Sequence, residues 1–175
     1  MKDMNNHLSV KKISILGLAT AVALAIYGLE AALPPLFPIP GMKLGLANLV
    51  TLLLLLRFGK RETSLVLLCR ILMATFFFGN FVSLAYALAG GFSCLLIEFL
   101  LIHFVGKRYL PIISTFGALT HNMAQILVAR LLTGTNGVFL YIPYLLLLGI
   151  LTGLLIGFLA IWCNKHLPLI PAASQ

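Results

Sequence analysis

The sequence predicts an all-α integral membrane protein, a compact bundle of six transmembrane helices with both termini in the cytoplasm. Of its 175 residues, 61% are hydrophobic and 9% are charged, whereas soluble domains are about 45–50% apolar and about 25% charged. Six mostly apolar segments follow one another, and their leucine runs lack the alternating polarity of a membrane β-barrel. A soluble enzyme, a disordered chain and a stand-alone nucleic-acid-binding protein are therefore excluded.

Gly, Pro or charged residues separate the six segments. The first follows a basic stretch, but its apolar run is longer than the about 7–15 residues of a signal peptide, so we expect an uncleaved helix. The second is short and follows proline-rich sequence. The predicted single transmembrane domain is 13–163, between tails 1–12 and 164–175. Within it, the predicted spans are 13–32, 44–58, 63–79, 81–105, 111–133 and 139–163.

Basic residues fall in alternate connections, and in short loops they mark the cytoplasmic side of a membrane. The first, third and fifth connections carry only Lys43. The opposite side carries Lys2, Lys11, Lys12, Arg57, Lys60, Arg61, Lys107, Arg108 and Lys165. The net charge of +8 is therefore explained largely by orientation in the membrane, with both termini cytoplasmic, and not by nucleic-acid binding.

Acidic residues and cysteines are scarce. The acids are Asp3, Glu30, Glu62 and Glu98. Diphosphate chemistry on Mg²⁺ needs paired carboxylates, and ATP binding by a P-loop needs a glycine-rich motif that this chain lacks. The three cysteines form no CxxC pair, which favours reduced packing residues over a disulfide or a zinc site. The sequence thus predicts no catalytic residues, no metal and no cofactor.

The fifth span carries a polar stripe. His121, Asn122 and Gln125 share a helix face because residues three and four apart are neighbours. Interhelical hydrogen bonding explains any one of them about as well as ligand contact does, but three on one face favour a cavity. Arg70 lies in the middle of the third span, where a charge costs about 2.5–3.5 kcal/mol unless it faces the bundle interior.

A partner for Arg70 remains open between Glu30, Glu98 and an anionic ligand. The first outer connection has prolines at positions 34, 35, 38 and 40, which stiffen it. We expect the short second span to aim its N-terminus and Lys43 at a pocket, because helix N-termini favour anions; the alternative is a stiff connector with an interfacial lysine. Together with Arg130 these charges make the outer half net positive.

That excess of positive charge predicts a ligand with a carboxylate, phosphate or diphosphate group. The candidate substrate-binding residues are Glu30, Lys43, Asn48, Arg70, His121, Asn122, Gln125 and Arg130.

Small residues mark positions where helices approach closely. The sixth span repeats glycine at every fourth position, at Gly149, Gly153 and Gly157, and this stripe predicts packing within the bundle. The first span carries alanines on more than one face, which would suit docking to another membrane subunit. The candidate docking residues are Ala19, Ala21, Ala23 and Ala25.

Two stretches carry a family resemblance. Residues 40–48, PGMKLGLAN, with the following leucine run and Arg57-Phe-Gly, and residues 117–125, GALTHNMAQ, resemble the Gx transporter family, which is also called heptaprenyl diphosphate synthase component I. The resemblance covers about residues 10–163. The six spans and the alanine-rich first helix are also similar to the substrate-binding S components of energy-coupling-factor vitamin transporters.

The resemblance implies that the alanine pairs Ala19/Ala23 and Ala21/Ala25 dock this chain onto a membrane coupling subunit, which separate ATPases drive. The expected location is the bacterial cytoplasmic membrane. Three functions stay open: a binding or transport subunit for a small anionic or isoprenoid- or quinone-linked molecule in an outward-facing cavity, a non-catalytic accessory subunit in heptaprenyl diphosphate or menaquinone synthesis, and a membrane subunit of quinone-linked, flavin-based extracellular electron transfer.

Overall fold

The computed structural model describes residues 10–32, 45–78 and 81–166, and every regular element within these ranges is helical. Short 3₁₀ turns at Lys107–Tyr109 and Asn136–Tyr141 lead into the last two α-helices. The α-helices are α1 (Val10–Ala32), α2 (Asn48–Phe58), α3 (Lys60–Phe78), α4 (Phe81–Val105), α5 (Leu110–Thr133) and α6 (Ile142–His166). The prediction of an all-α fold is confirmed, and the six helices match the six predicted segments in order.

Four segments are long and apolar enough to cross a membrane, namely α1, α4, Lys107–Thr133 and Asn136–His166. The chain is therefore a multi-pass membrane protein. Helix α2 has 11 residues, so it measures about 16 Å at ~1.5 Å per residue and is shorter than the hydrocarbon core. Helix α3 is longer, but Arg61, Glu62 and Arg70 lower its hydropathy. Four of the six predicted spans are thus confirmed by length and composition.

The basic connections lie together at one end of the bundle, which we call the basic end. It contains the start of α1, the α2–α3 and α4–α5 connections and the end of α6. Three polar contacts join these segments: Lys12 Nζ to Glu62 Oε1 (2.5 Å), Arg57 Nε to Asn164 Oδ1 (3.0 Å) and Lys107 Nζ to the Leu56 carbonyl (3.2 Å). The structure confirms that these segments share an end; that this end is cytoplasmic stays a prediction.

Helices α5 and α6 pack backbone to backbone along the glycine stripe. A Cβ on Gly153 would lie 2.5 Å from Thr115 Cα, and one on Gly157 would meet Pro111 Cα. Only glycine leaves room for such an approach, and the close approach gives van der Waals contact along both helices. The predicted packing role of the stripe is confirmed.

Candidate functional site

A cavity of about 30 Å³ lies between helices α1 to α5, and we call it the Arg70 cavity. A polar cavity of this size holds one or two water-sized groups. Seven of its ten lining residues have polar side chains, although the cavity lies among apolar helices. Its lining residues are Tyr27, Glu30, Gly45, Ala47, Asn48, Arg70, Ser83, Ala87, His121 and Gln125.

The Arg70 side chain is the strongest electrostatic feature of this cavity. It is only 5% exposed, and its Nε and Nη1 have no hydrogen-bond partner within the described ranges. The Glu30 carboxylate lines the same cavity and interacts electrostatically with this guanidinium, whereas Glu98 lines a second, smaller cavity. Which of Glu30, Glu98 and an anionic ligand is the partner of Arg70 stays a prediction.

Glu30 also lines the cavity and holds the turn that precedes α2. Its Oε1 accepts a hydrogen bond from the backbone N–H of Gly45 at 2.6 Å. Gly45 has φ +80°, and a Cβ there would lie 3.1 Å from Asn48 Nδ2. Glycine is required at this position for both reasons, and the resulting turn directs the first residue of α2 into the bundle.

That first residue, Asn48, joins three helices. Its Nδ2 lies 3.3 Å from His121 Nδ1 on α5 and 3.8 Å from Cys94 Sγ on α4. The His121 ring in turn lies flat against α4, where a Cβ on Gly90 would come within 2.8 Å of the ring. The buried amide and imidazole are therefore held in place from several sides, as preorganised binding groups require.

Gln125 completes the wall that α5 contributes, one turn after His121. It is 2% exposed, and its Oε1 has no hydrogen-bond partner in the described part of the chain. Such buried groups are normally satisfied. The cavity thus combines unpartnered donors on Arg70 with an unpartnered acceptor on Gln125.

Three of the predicted binding residues lie elsewhere or are not described. Asn122 is buried, but its Nδ2 donates to the Leu145 carbonyl on α6 at 2.8 Å. Arg130 lies near the end of α5, where its Nε contacts Asn136 Oδ1 at 2.5 Å. Lys43 lies outside the described residues. Glu30, Asn48, Arg70, His121 and Gln125 are brought together as predicted.

The predicted polar stripe on α5 therefore faces two ways. Successive helical residues point about 100° apart, so His121 and Gln125 face the cavity whereas Asn122 faces α6. The cavity lining also includes Tyr27 and Ser83, which the sequence analysis missed. For Tyr27 a signal existed, because it precedes Glu30 by three residues and so shares its helix face.

A second, smaller cavity of about 10 Å³ adjoins the first. Glu98 lines it; this residue is 1% exposed, and its Oε2 has no hydrogen-bond partner among the described residues. Gly117 on α5 makes room for the side chain, since a Cβ there would lie 2.9 Å from Glu98 Oε1. Gly45, Asn48 and His121 line both cavities.

The alanines proposed for docking divide between two faces of α1. Ala23 is buried against Val50, Leu54 and Val66, and Ala19 packs at the edge of that cluster. Ala21 and Ala25 are exposed on the other side. Only the second pair is therefore accessible to another subunit.

The similarity of the chain to a known family extends over the whole of the Arg70 cavity. A family model described as heptaprenyl diphosphate synthase component I matches residues 18–162, a range that includes every described residue of the Arg70 cavity. No curated protein and no solved structure matches the chain. Because the family model matches well over half of the sequence, the chain belongs to the heptaprenyl diphosphate synthase component I family.

Proposed function

We propose that the chain is a membrane-embedded binding subunit for a small anionic molecule, whose negative group contacts Arg70. The observation that carries this proposal is the buried guanidinium whose Nε and Nη1 find no partner in the part of the chain that the structure describes. A buried charge normally has a partner or marks a functional site. Carboxylate and phosphate oxygens are the acceptors that suit the planar fork of guanidinium donors, and they would accept from the N–H groups at Nε and Nη1.

Other groups of the cavity would orient the ligand. Asn48 and His121 line the cavity together with Arg70. Gln125 offers an acceptor that no described residue uses, which a donor group of the ligand could occupy. Glu30 is held by Gly45 and would balance part of the positive charge. The volume of about 30 Å³ fits a small polar group, so a whole ligand with a ring or a chain requires the helices around the cavity to separate.

Transport would extend this binding role. The exposed Ala21 and Ala25 on α1 would offer a smooth face for a membrane coupling subunit, with ATPases supplied by partners. In this proposal the basic end is cytoplasmic, the cavity opens to the outside, and the protein lies in the bacterial cytoplasmic membrane.

The binding proposal is tested by mass spectrometry of small molecules that co-purify with the protein in mild detergent. We expect wild type to retain an anionic compound that Arg70→Ala loses, and Arg70→Lys to retain it weakly, because lysine keeps the charge without the fork. Hydrogen bonds to charged groups contribute about 1.5–3 kcal/mol each, so affinity should fall at least about 10-fold. Arg130→Ala is the matched control, since Arg130 bonds to Asn136 outside the cavity. Equal retention in all variants would contradict the proposal.

A second candidate is an accessory subunit of heptaprenyl diphosphate synthesis, which the description of the matching family favours. With Asp3 as its single aspartate, the chain would act beside a catalytic component and not as one. Membranes that contain the chain should then raise the rate or the product length of a soluble prenyl synthase from the same cell. Arg70→Ala distinguishes the two candidates. If the variant loses the co-purified anion but still stimulates the synthase, the stimulation does not depend on anion binding at Arg70.

A further inference from the structure

The burial of the Glu98 carboxyl group is not explained by anion binding at Arg70. The side chain of Glu98 is 1% exposed on a helix long and apolar enough to span a membrane. Among the described residues its Oε2 has no hydrogen-bond partner, and no ion pair with a cation is found for it there. A buried carboxylate without a counter-charge costs several kcal/mol. The group must therefore bind something that removes its charge.

A metal cation fits the surroundings poorly. The cavity beside Glu98 has about 10 Å³, room for at most one water-sized species. Its lining offers as oxygen ligands one carboxylate, the Ser114 hydroxyl and the Asn48 amide, beside the Cys94 thiol and the His121 imidazole. Hard cations take six or more oxygen ligands. Across the described ranges, no three His, Cys, Asp or Glu side chains are placed to hold a metal ion. A proton needs one oxygen, and Oε2 is free to carry it.

We infer that Glu98 is a proton-binding site and that its proton occupancy is coupled to the charge state of the neighbouring Arg70 cavity. The coupling follows from the shared wall, because Gly45, Asn48 and His121 line both cavities. Opposite charges on the two sides of one wall attract each other in a protein interior, so removing one charge moves the titration midpoint of the other. The positive Arg70 favours the ionised form of Glu98, so an anion bound at Arg70 would favour its protonated form.

Few other groups that titrate face Glu98. Cys94 lies one turn earlier on the same helix, and His121 faces it from α5 across the small cavity. Helix α2 contributes Asn48 and α6 contributes Ile156, neither of which titrates; Arg70 on α3 lies beyond the shared wall. By linkage, an anion that promotes protonation of Glu98 must bind more tightly when Glu98 is protonated. This second step rests on the proposed function, whereas the proton site does not.

Infrared spectroscopy of the purified protein tests the proton site without any ligand. The chain has only four acidic residues, so the carbonyl stretch of a protonated carboxylic acid can be assigned by variants. We expect an acid band at neutral pH that is absent in Glu98→Gln, shifted in Glu98→Asp, and unchanged in the control Glu62→Gln, whose side chain pairs with Lys12. The amide bands check that each variant is folded.

Two further arms complete the test. The acid band should disappear as pH rises, and in Arg70→Gln this should require a higher pH than in wild type, because the cation that favours the carboxylate is gone; Arg70→Lys should resemble wild type. If folded wild type and Glu98→Gln give identical spectra in the acid region at neutral pH, the proton site is wrong. Loss of the band on adding sodium at constant pH overturns the choice of a proton over a metal ion, and an unmoved midpoint in Arg70→Gln overturns the coupling. Failure of the proposed function would instead show as no retained anion with the acid band intact.

Discussion

Asn48 Nδ2 and His121 Nδ1 lie 3.3 Å apart, so the first residue of α2 is joined to the middle of α5. Both side chains are buried, and the contact connects the turn at Gly45 with the wall of both cavities. The hydrogen bond therefore has a structural and a binding consequence that can be measured separately.

A double-mutant cycle on Asn48 and His121 should show coupling. Removing one partner leaves the other buried without a hydrogen bond, which costs about 1–3 kcal/mol, and contacting residues show interaction energies of about 0.5–3 kcal/mol. Thermal and denaturant unfolding of Asn48→Ala, His121→Ala and the double variant in detergent measures this. The control cycle pairs His121 with Asn164, which bonds to Arg57 at the basic end, and should be additive. Additivity in both cycles would show that the contact contributes nothing.

Alanine should have opposite effects at two glycines, one in the α5–α6 contact and one on an open face of α1. Gly153→Ala places a Cβ 2.5 Å from Thr115 Cα, where backbone cannot yield, so we expect destabilisation of about 1–3 kcal/mol. Gly17→Ala on α1 meets no atom within 4 Å and should stabilise by up to about 1 kcal/mol through helix propensity. Unfolding midpoints of the two variants test the sign; a neutral Gly153→Ala would contradict the close packing.

Asn122 and Gln125 should separate stability from binding. Asn122→Ala loses its hydrogen bond to Leu145 and should cost about 0.6–1.7 kcal/mol with ligand retention unchanged. Gln125→Met keeps most of the buried volume and removes an acceptor that no described residue uses, so it should change stability less than Asn122→Ala does and reduce retention. Melting temperature and co-purified ligand are measured on the same preparations. If instead the Asn122 variant lost the ligand and the Gln125 variant lost more stability, Asn122 and not Gln125 would be the binding residue on α5.

The orientation prediction concerns the basic end. On a variant with Cys69, Cys94 and Cys163 replaced by serine, Asn136→Cys should react with a membrane-impermeant thiol reagent in intact cells, and Lys107→Cys only after the membrane is opened. The physical reason is that lysine and arginine in short loops stay on the cytoplasmic side. Labelling of Lys107→Cys in intact cells would reverse the orientation.

Hydrophobic length and charge placement were sufficient to predict the helices, because both depend on the chain alone. They did not locate the start of α2. The sequence predicts the second span from residue 44, whereas the helix begins at Asn48, since the turn at Gly45 depends on its contact with Glu30 from α1. A tertiary contact decided that boundary.

The same limit applies to the candidate site. Arg70 and Gln125 could be selected because polar groups in apolar spans face the bundle interior. Which neighbour each would meet depends on helix rotation, and so Asn122 reached α6 and Arg130 reached Asn136. The sequence identifies Glu98 as one of four acids and as a possible partner for Arg70, but the mostly apolar sequence of α4 gives no sign of which face is inside.

The glycine contact between α5 and α6 restricts how the bundle can move. With backbone against backbone at Gly153 and Gly157, neither helix can slide along the other without collision, so the pair moves as a rigid body. Any widening that admits a ligand larger than about 30 Å³ therefore has to come from displacement of one or more of the helices α1 to α4 away from that rigid pair.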